Sequence, residues 1–130
     1  MSHFSTIQTE LRDRDALLAA LGDLGFPAQE GQQPVRGFRG QVVTAELAVN
    51  SPQGGDFGFR LNPTSGSYEL VTDLDLWKQS VPVERFLARL TQRYALHAIL
   101  AASAAEGFQL SEQSQNLDGS IELVVTRWDG

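Results

Sequence analysis

Residues 57–74 read FGFRLNPTSGSYELVTDL, and this pattern indicates the class of fold. Apolar side chains alternate on both sides of a central polar segment, as in two antiparallel strands that bury one face. Asn62 to Gly66 supply the turn, because asparagine, proline and glycine favour the backbone angles of tight turns. The preceding run, Val35 to Asn50, also reads extended after a connection through Pro27 and residues 31–34. Residues 35–74 are therefore predicted to form an antiparallel meander.

A helix is predicted on each side of this meander. From Asp13 to Leu24 the leucines recur at helical spacing, and Asp13 or Asp15 is placed to cap the first turn. The second helix is predicted from near Ser80, with Pro82 in its first turn, to a terminating glycine at position 107.

Further strands are predicted at both ends of the chain. Residues 2–11 favour a first strand, although their alternation is imperfect. Residues 109–115 and 120–128 form a predicted hairpin, joined through Asp118 and Gly119, which readily adopt the positive φ angles of a tight turn. Because the helices do not alternate regularly with the strands, a doubly wound parallel sheet is disfavoured. We expect a single α+β domain over residues 1–130, an antiparallel sheet with two helices packed on one face, as a ferredoxin-like variant.

Composition narrows the classes of function. The chain has no cysteine, so disulfides, thiolate metal ligands and a cysteine nucleophile are excluded. It carries 16 acidic residues against 10 Lys and Arg, a net charge of −6, which disfavours binding to nucleic acid. No apolar run is long enough for membrane insertion, and the polar N-terminus lacks a secretory signal. We expect a cytoplasmic protein.

The second helix has two predicted apolar faces. One is a core stripe of Val83, Phe86, Leu87, Leu90, Tyr94, Ala98, Ala101 and Ala105. The opposite face carries Arg85, Arg89 and Arg93, and one turn later it becomes apolar with Leu96, Ile99 and Leu100. Either the C-terminal hairpin or the loop after the first helix covers this second patch, or a partner protein binds there, with the arginines at its edge.

The segment Val35 to Gly40 is the other unusual feature, because two Arg-Gly pairs bracket an aromatic ring. Arg36 and Arg39 can hold a carboxylate or phosphate in bidentate fashion. Strand bulges with surface salt bridges are the alternative, and the glycine spacing is not that of a phosphate-binding loop.

Signatures of catalysis and of metal binding are lacking. His97 falls on the core stripe, with no acid within a helical turn to orient it, and such a histidine is more often a packed core residue than a base. Neither His3 nor His97 has a second metal ligand at suitable spacing. No serine stands in a nucleophile motif. We therefore expect no cofactor and no metal, and find no positive argument for an enzyme.

Several segments resemble one known family. They are residues 1–5 (MSHFS), 35–40 (VRGFRG), 68–74 (YELVTDL), Trp77, 83–87 (VERFL) and 92–95 (QRYA). In this order, and over nearly the whole chain, they resemble the hypothetical chloroplast reading frame thirty-five family. That resemblance implies a protein of cyanobacteria or of the plastid stroma, in a family of unknown function, and implies no reaction.

Two hypotheses about function follow. The first is a non-catalytic accessory protein that binds another protein, or itself, through the outer face of the second helix and the Arg36 to Arg39 segment. The second is a small-molecule anion-binding protein or enzyme with an arginine clamp. The clamp would consist of Arg36, Arg39 and Arg93, and its acid or base would be Glu69, Asp73, His3 or His97.

Overall fold

The structure is a computed structural model that describes residues 4–51 and 55–105 with their side chains, and the backbone of two further strands at 108–115 and 121–127. In chain order the elements are β1 (Phe4–Gln8), α1 (Arg14–Asp23), β2 (Gln29–Arg36), β3 (Val42–Val49), β4 (Phe57–Leu61), β5 (Tyr68–Asp73), α2 (Val83–Ala105), β6 (Phe108–Gln115) and β7 (Ile121–Arg127). Short 3-10 turns at Phe38–Gly40 and Leu74–Leu76 follow β2 and β5.

The main sheet has five strands in the order β1-β5-β4-β3-β2, and every neighbouring pair is antiparallel. Strands β2 to β5 form a meander in which each strand pairs with the next along the chain, and β3 to β5 lie within the predicted range of residues 35–74. β1 adds at the β5 side, so β1 and β2 form the two edges and α1 connects one edge to the other. The α+β class with an antiparallel sheet is confirmed, and the uninterrupted meander distinguishes this order from the ferredoxin-like one.

Both helices pack on one face of the sheet. Buried residues of α1, α2 and the strands share one cluster there, which includes Leu17, Leu21, Leu47, Phe59, Leu70 and Leu90. Phe57 is at its centre, in ring contact with Phe26, Phe59, Trp77 and Phe86. The two helices also meet each other, since the Tyr94 hydroxyl accepts the backbone N–H groups of Arg12 and Asp13 at 3.0 and 2.8 Å. α2 thereby supports the start of α1.

A second, smaller cluster lies on the opposite face. It contains Val35, Ala45 and Ala48, with Phe4 and Val43 packed against it. Gly58 lies between Phe57 and Phe59, and so it faces this second side of β4. Val43 and Ala45 of β3 thus contact the second cluster, whereas Leu47 and Val49 of the same strand contact the main core.

The predicted extended run from Val35 to Asn50 is extended over Val42–Val49 but is not continuous, because a 3-10 turn at Phe38–Gly40 divides it into two strands. β2 begins earlier than expected and includes Gly31 and Pro34, which the sequence analysis assigned to a connection. β2 can contain a proline because it is an edge strand, where one side of the backbone needs no ladder partner.

The helix predictions hold with small shifts in the ends. Asp13 is the N-cap of α1, and its carboxylate accepts the N–H of Ala16 at 3.1 Å. α2 begins at Val83, directly after Pro82, and its predicted terminator Gly107 lies outside the described residues. The C-terminal hairpin is present as antiparallel β6 and β7. Its predicted Asp118-Gly119 turn also lies outside the described residues. No described helix is long and apolar enough to span a membrane.

Candidate functional site

The Arg36 side chain is bound to a buried carboxylate. Its Nε donates to Oδ2 of Asp56 at 2.7 Å and its Nη2 to Oδ1 at 2.9 Å, and the backbone N–H of Arg36 reaches the same carboxylate at 3.0 Å. Asn50 and Ser51 donate to it as well. Burial alone would raise the pKa of Asp56, but these hydrogen bonds outweigh it and hold the pKa at about 2. The Arg36 guanidinium therefore already holds an internal anion.

A second buried carboxylate holds the turn that follows β2. Asp73, at the end of β5, accepts the backbone N–H of Phe38 at 3.1 Å and that of Asp75 at 3.1 Å. The ring of Phe4 packs directly under Gly37, where a side chain would meet its Cζ. Phe4 of β1, Asp73 of β5 and Asp56, which directly precedes β4, thus fix the backbone where β2 ends and the turn begins.

This fixed turn presents exposed apolar groups beside an arginine. Phe38 is 38% exposed and Val42 is 55% exposed, and Leu74, which follows the Asp73 that binds the backbone of Phe38, is also exposed. The guanidinium carbon of Arg39 lies 5.2 Å from the centre of the Phe38 ring, within cation–π range. We call the side chains of Phe38, Arg39, Val42 and Leu74 the 38–42 tip.

Arg39 adopts a backbone conformation that L-residues rarely use. Its φ is 56° and its ψ is 39°, and it is the single non-glycine residue with positive φ in the described chain. The left-handed region costs roughly 1–2 kcal/mol for a residue with a side chain, and such strain concentrates at functional sites. Arg39 makes no ion pair with any described residue. Within the described chain, its charge is therefore available to a partner.

Arg93 and His97 share a carboxylate from α1. Arg93 donates to Oδ2 of Asp23 from Nε and Nη2 at 3.0 and 2.9 Å, and Nε2 of His97 lies 2.6 Å from the same atom. Burial would raise the pKa of Asp23, yet the hydrogen bonds from His97 and Arg93 lower it. Sequence spacing on α2 could not reveal this acid, because it comes from another element. Two of the three predicted clamp arginines, Arg93 and Arg36, are thus engaged separately, by Asp23 and by Asp56.

The predicted apolar patch on α2 is divided. Leu96 is 4% exposed, so the expectation of a surface centred on it is wrong. α2 contacts β6 and β7, which favours the alternative that the C-terminal hairpin covers Leu96. Leu100 is half-buried, whereas Ile99 is 47% exposed. Conversely, Ala101 and Ala105 of the predicted core stripe are exposed, because α2 extends beyond the main core.

Two other predicted residues of α2 have no partner in the part of the chain that the structure describes. Arg85 and Arg89 are exposed and make no ion pair or hydrogen bond with a described residue. They remain a predicted cationic edge.

A groove that the sequence analysis missed runs beside α2. It has a volume of about 820 Å³, and its walls are the end of β1 with the residues after it and one face of α2. The α2 wall comprises Glu84, Leu87, Ala88, Thr91, Tyr94, Ala95, Ala98 and Ile99, and the other wall comprises residues 8–11. We call this the α2 groove. The helical spacing of Ala88, Thr91, Ala95 and Ala98 was a usable signal, but only the sheet supplies the second wall.

The remaining candidate acids and bases are structural or outside the described chain. Glu69 accepts from Gln8 and Asn62 at 2.8 and 2.7 Å, and these bonds lower its pKa. Arg60 is its ion-pair partner. His3 lies outside the described residues. Within residues 4–51 and 55–105, no group of three or more His, Asp or Glu side chains is placed to hold a metal ion.

Comparison with known proteins gives consistent matches. Residues 20–124 match the model of the family described as "Protein of unknown function (DUF1257)". The chain is 37% identical over 128 residues to "Uncharacterized protein ycf35" of Cyanophora paradoxa and 38% identical over 128 residues to that of Guillardia theta, with 98% of each chain covered. The ycf35 protein of Pyropia yezoensis is 35% identical over 129 residues, with 99% covered. No solved structure matches.

Proposed function

This chain belongs to the DUF1257 family of cyanobacteria and plastids, which includes the ycf35 proteins, and we propose that it is a protein-binding module that docks through its 38–42 tip. Its place of action is the cytosol of a cyanobacterium or the plastid stroma. The observation that carries the proposal is the strained, unpaired Arg39 stacked on the exposed Phe38.

The composition of the tip supports a protein partner. Aromatic residues and arginine dominate the energetic centres of protein interfaces, where a desolvated ring and a bidentate guanidinium act together. Phe38 and Arg39 provide both, with Val42 and Leu74 as apolar surroundings. The partner surface that fits is apolar with a carboxylate opposite Arg39.

The rigidity of the tip supports the same proposal. Asp56 and Asp73 are both about 1% exposed, and each uses its charge to hold backbone N–H groups at the base of the tip. A preorganised loop loses little conformational entropy on binding.

Site-specific photo-crosslinking tests the proposal. A benzophenone side chain replaces Val42 in the full chain, and a control carries it at Thr64, which is exposed on the β4–β5 turn. In extract from a cyanobacterium we expect a discrete adduct from position 42 and none from position 64. An adduct containing only two copies of this chain would identify self-association as the binding event.

Competition with unlabelled protein then distinguishes specific binding at the tip from non-specific adsorption. Excess wild-type protein should abolish the adduct, whereas a Phe38→Ala, Arg39→Ala double variant should not. Both residues are exposed, so the variant is expected to fold. Equal competition by the two proteins would contradict the proposal.

A further inference from the structure

The α2 groove lies at the end of β1 opposite to the tip. Gln8 to Leu11 form one wall of the groove, whereas Phe4, at the start of the strand, packs against Gly37. The volume of about 820 Å³ is within the range of sites that bury a small ligand or a short peptide segment. This surface is therefore distinct from the one on which the proposed function depends.

The two edges of the main sheet are protected very differently. β2 carries Pro34 and an irregular register between Glu30 and Gln33, features that blunt a strand against pairing with another chain. β1 reads FSTIQ and has neither a charge nor a proline, and its register with β5 is continuous from Phe4 to Gln8. Among the described strands β1 pairs with β5 alone. Within the described part of the chain, its outer backbone groups therefore have no strand partner.

The negative charge at the groove indicates which kind of partner segment can bind there. Glu10 and Glu84 are exposed at its rim, and neither makes an ion pair with a described residue. No lysine or arginine lines the groove, and the whole chain carries a net charge of −6. Leu87, Ala95 and Ala98 give the α2 wall an apolar surface. The complement is an apolar segment that carries lysine or arginine.

From the open edge, the adjoining groove and the unpaired acids, we propose that β1 and the α2 groove bind an extended segment of a partner protein. The segment pairs with β1 as a sixth strand. Alternate apolar side chains enter the groove against Leu87 and Ala95, and a lysine or arginine meets Glu10 and Glu84. Main-chain hydrogen bonds supply the affinity in this mode of recognition, and the side-chain pockets supply the specificity.

Selection from a displayed library of random 12-residue peptides tests the proposal on the full chain. Peptides are selected on the wild type and then counter-selected against Ala95→Arg, which fills the groove. Ala101→Arg is the matched control, because it places the same exposed change on the same helix outside the groove. We expect peptides that bind the wild type and Ala101→Arg and bind Ala95→Arg at least tenfold more weakly.

The sequences of the selected peptides reveal the mode of binding. Apolar residues at every second position with a neighbouring Lys or Arg support strand addition, whereas apolar residues three and four apart, or acidic peptides, would overturn it.

Variants of a selected peptide and of the protein test the individual contacts. Methylation of a peptide backbone nitrogen that faces β1 should weaken binding about tenfold. A Glu10→Gln, Glu84→Gln variant should bind a few-fold more weakly, with less dependence on salt. Failure to recover any peptide that distinguishes Ala95→Arg from the wild type would overturn the site itself.

The proposals for the tip and for the groove can be contradicted independently of each other. Phe38→Ala is expected to leave the affinity for a selected peptide unchanged, and Ala95→Arg is expected to leave the crosslink from position 42 unchanged. Loss of peptide binding in Phe38→Ala would contradict two independent surfaces.

Discussion

A Cβ atom on Gly58 would lie 2.6 Å from Cγ2 of Val35, a distance that side-chain carbons do not tolerate. It would also lie 2.8 Å from Cβ of Ala45 and 2.9 Å from the carbonyl oxygen of Leu47. Because residue 58 has no side chain, Val35 of β2 and Ala45 of β3 can pack directly against the backbone of β4 on its second face.

Gly58→Ala should therefore destabilise the protein by about 1–3 kcal/mol, the usual cost of overpacking. Gly22→Ala is the matched control, since a Cβ there has no atom within 4 Å and the residue lies in α1. It should leave the stability unchanged or raise it by up to about 1 kcal/mol. Urea unfolding of the two variants measures the difference, and equal values would contradict this account of the second face.

Asp56→Asn should cost at least about 2 kcal/mol of unfolding free energy. The amide removes the charge that the Arg36 guanidinium and three further donors share, and an unsatisfied buried donor costs about 1–3 kcal/mol. Asp15→Asn, on the exposed first turn of α1, is the control and should change stability by less than about 1 kcal/mol. A small effect of Asp56→Asn would show that the pair with Arg36 is not what fixes the turn.

Stability should fall in acid because of the same carboxylate. The pKa of Asp56 is about 2 in the folded protein against 3.8 for the free side chain. A lowered pKa contributes stability that is complete above the unfolded value and is lost as pH falls through the folded one, here about 2 kcal/mol between pH 5 and pH 2. Urea titrations across this range should show a shallower loss in Asp56→Asn. The lowered pKa values of Asp23 and Glu69 leave a residual slope of the same sign.

Leu96→Asp and Ile99→Asp should differ sharply although they are neighbours on α2. A carboxylate at the buried position 96 should cost about 3 kcal/mol or more, whereas position 99 is half-exposed and should lose less than about 1 kcal/mol. Thermal unfolding distinguishes the two. Similar melting temperatures for both variants would mean that Leu96 is not covered as the structure has it.

Arg39→Gly should leave the protein as stable as the wild type or up to about 1 kcal/mol more stable. Glycine removes the strain of the positive φ, which outweighs a surface cation–π contact of about 0.5–1 kcal/mol. The same variant should lose the crosslink at position 42. A stability loss above about 1 kcal/mol would show that Arg39 supports the fold rather than a partner.

Local patterns were sufficient for most of the fold. The Asp13 cap, both helices, the meander and the C-terminal hairpin follow from spacing and turn residues, since each depends on neighbours along the chain. The turn at Phe38–Gly40 could not be found this way. It requires Asp56 and Asp73, which are distant in sequence and come together only in the sheet.

The candidate sites show the same limit. Arg36 and Arg39 stood out in the sequence, but the partner of Arg36 did not, so an internal ion pair was indistinguishable from an anion clamp. The helical wheel treated α2 as if one surface covered its whole length. In the structure Leu96 is buried and Ala101 is exposed, so the faces that the wheel assigns do not hold along the whole helix.

The position of Phe4 beneath Gly37 makes the shape of the tip a property of the whole sheet. A shortened chain that began at α1 would retain every residue of the tip but would lose the Phe4 ring that packs beneath it. The same chemical groups would then be presented in many arrangements rather than in one. A partner that binds the tip would therefore bind only chains in which β1 has joined the sheet, and it would not bind an incompletely folded chain.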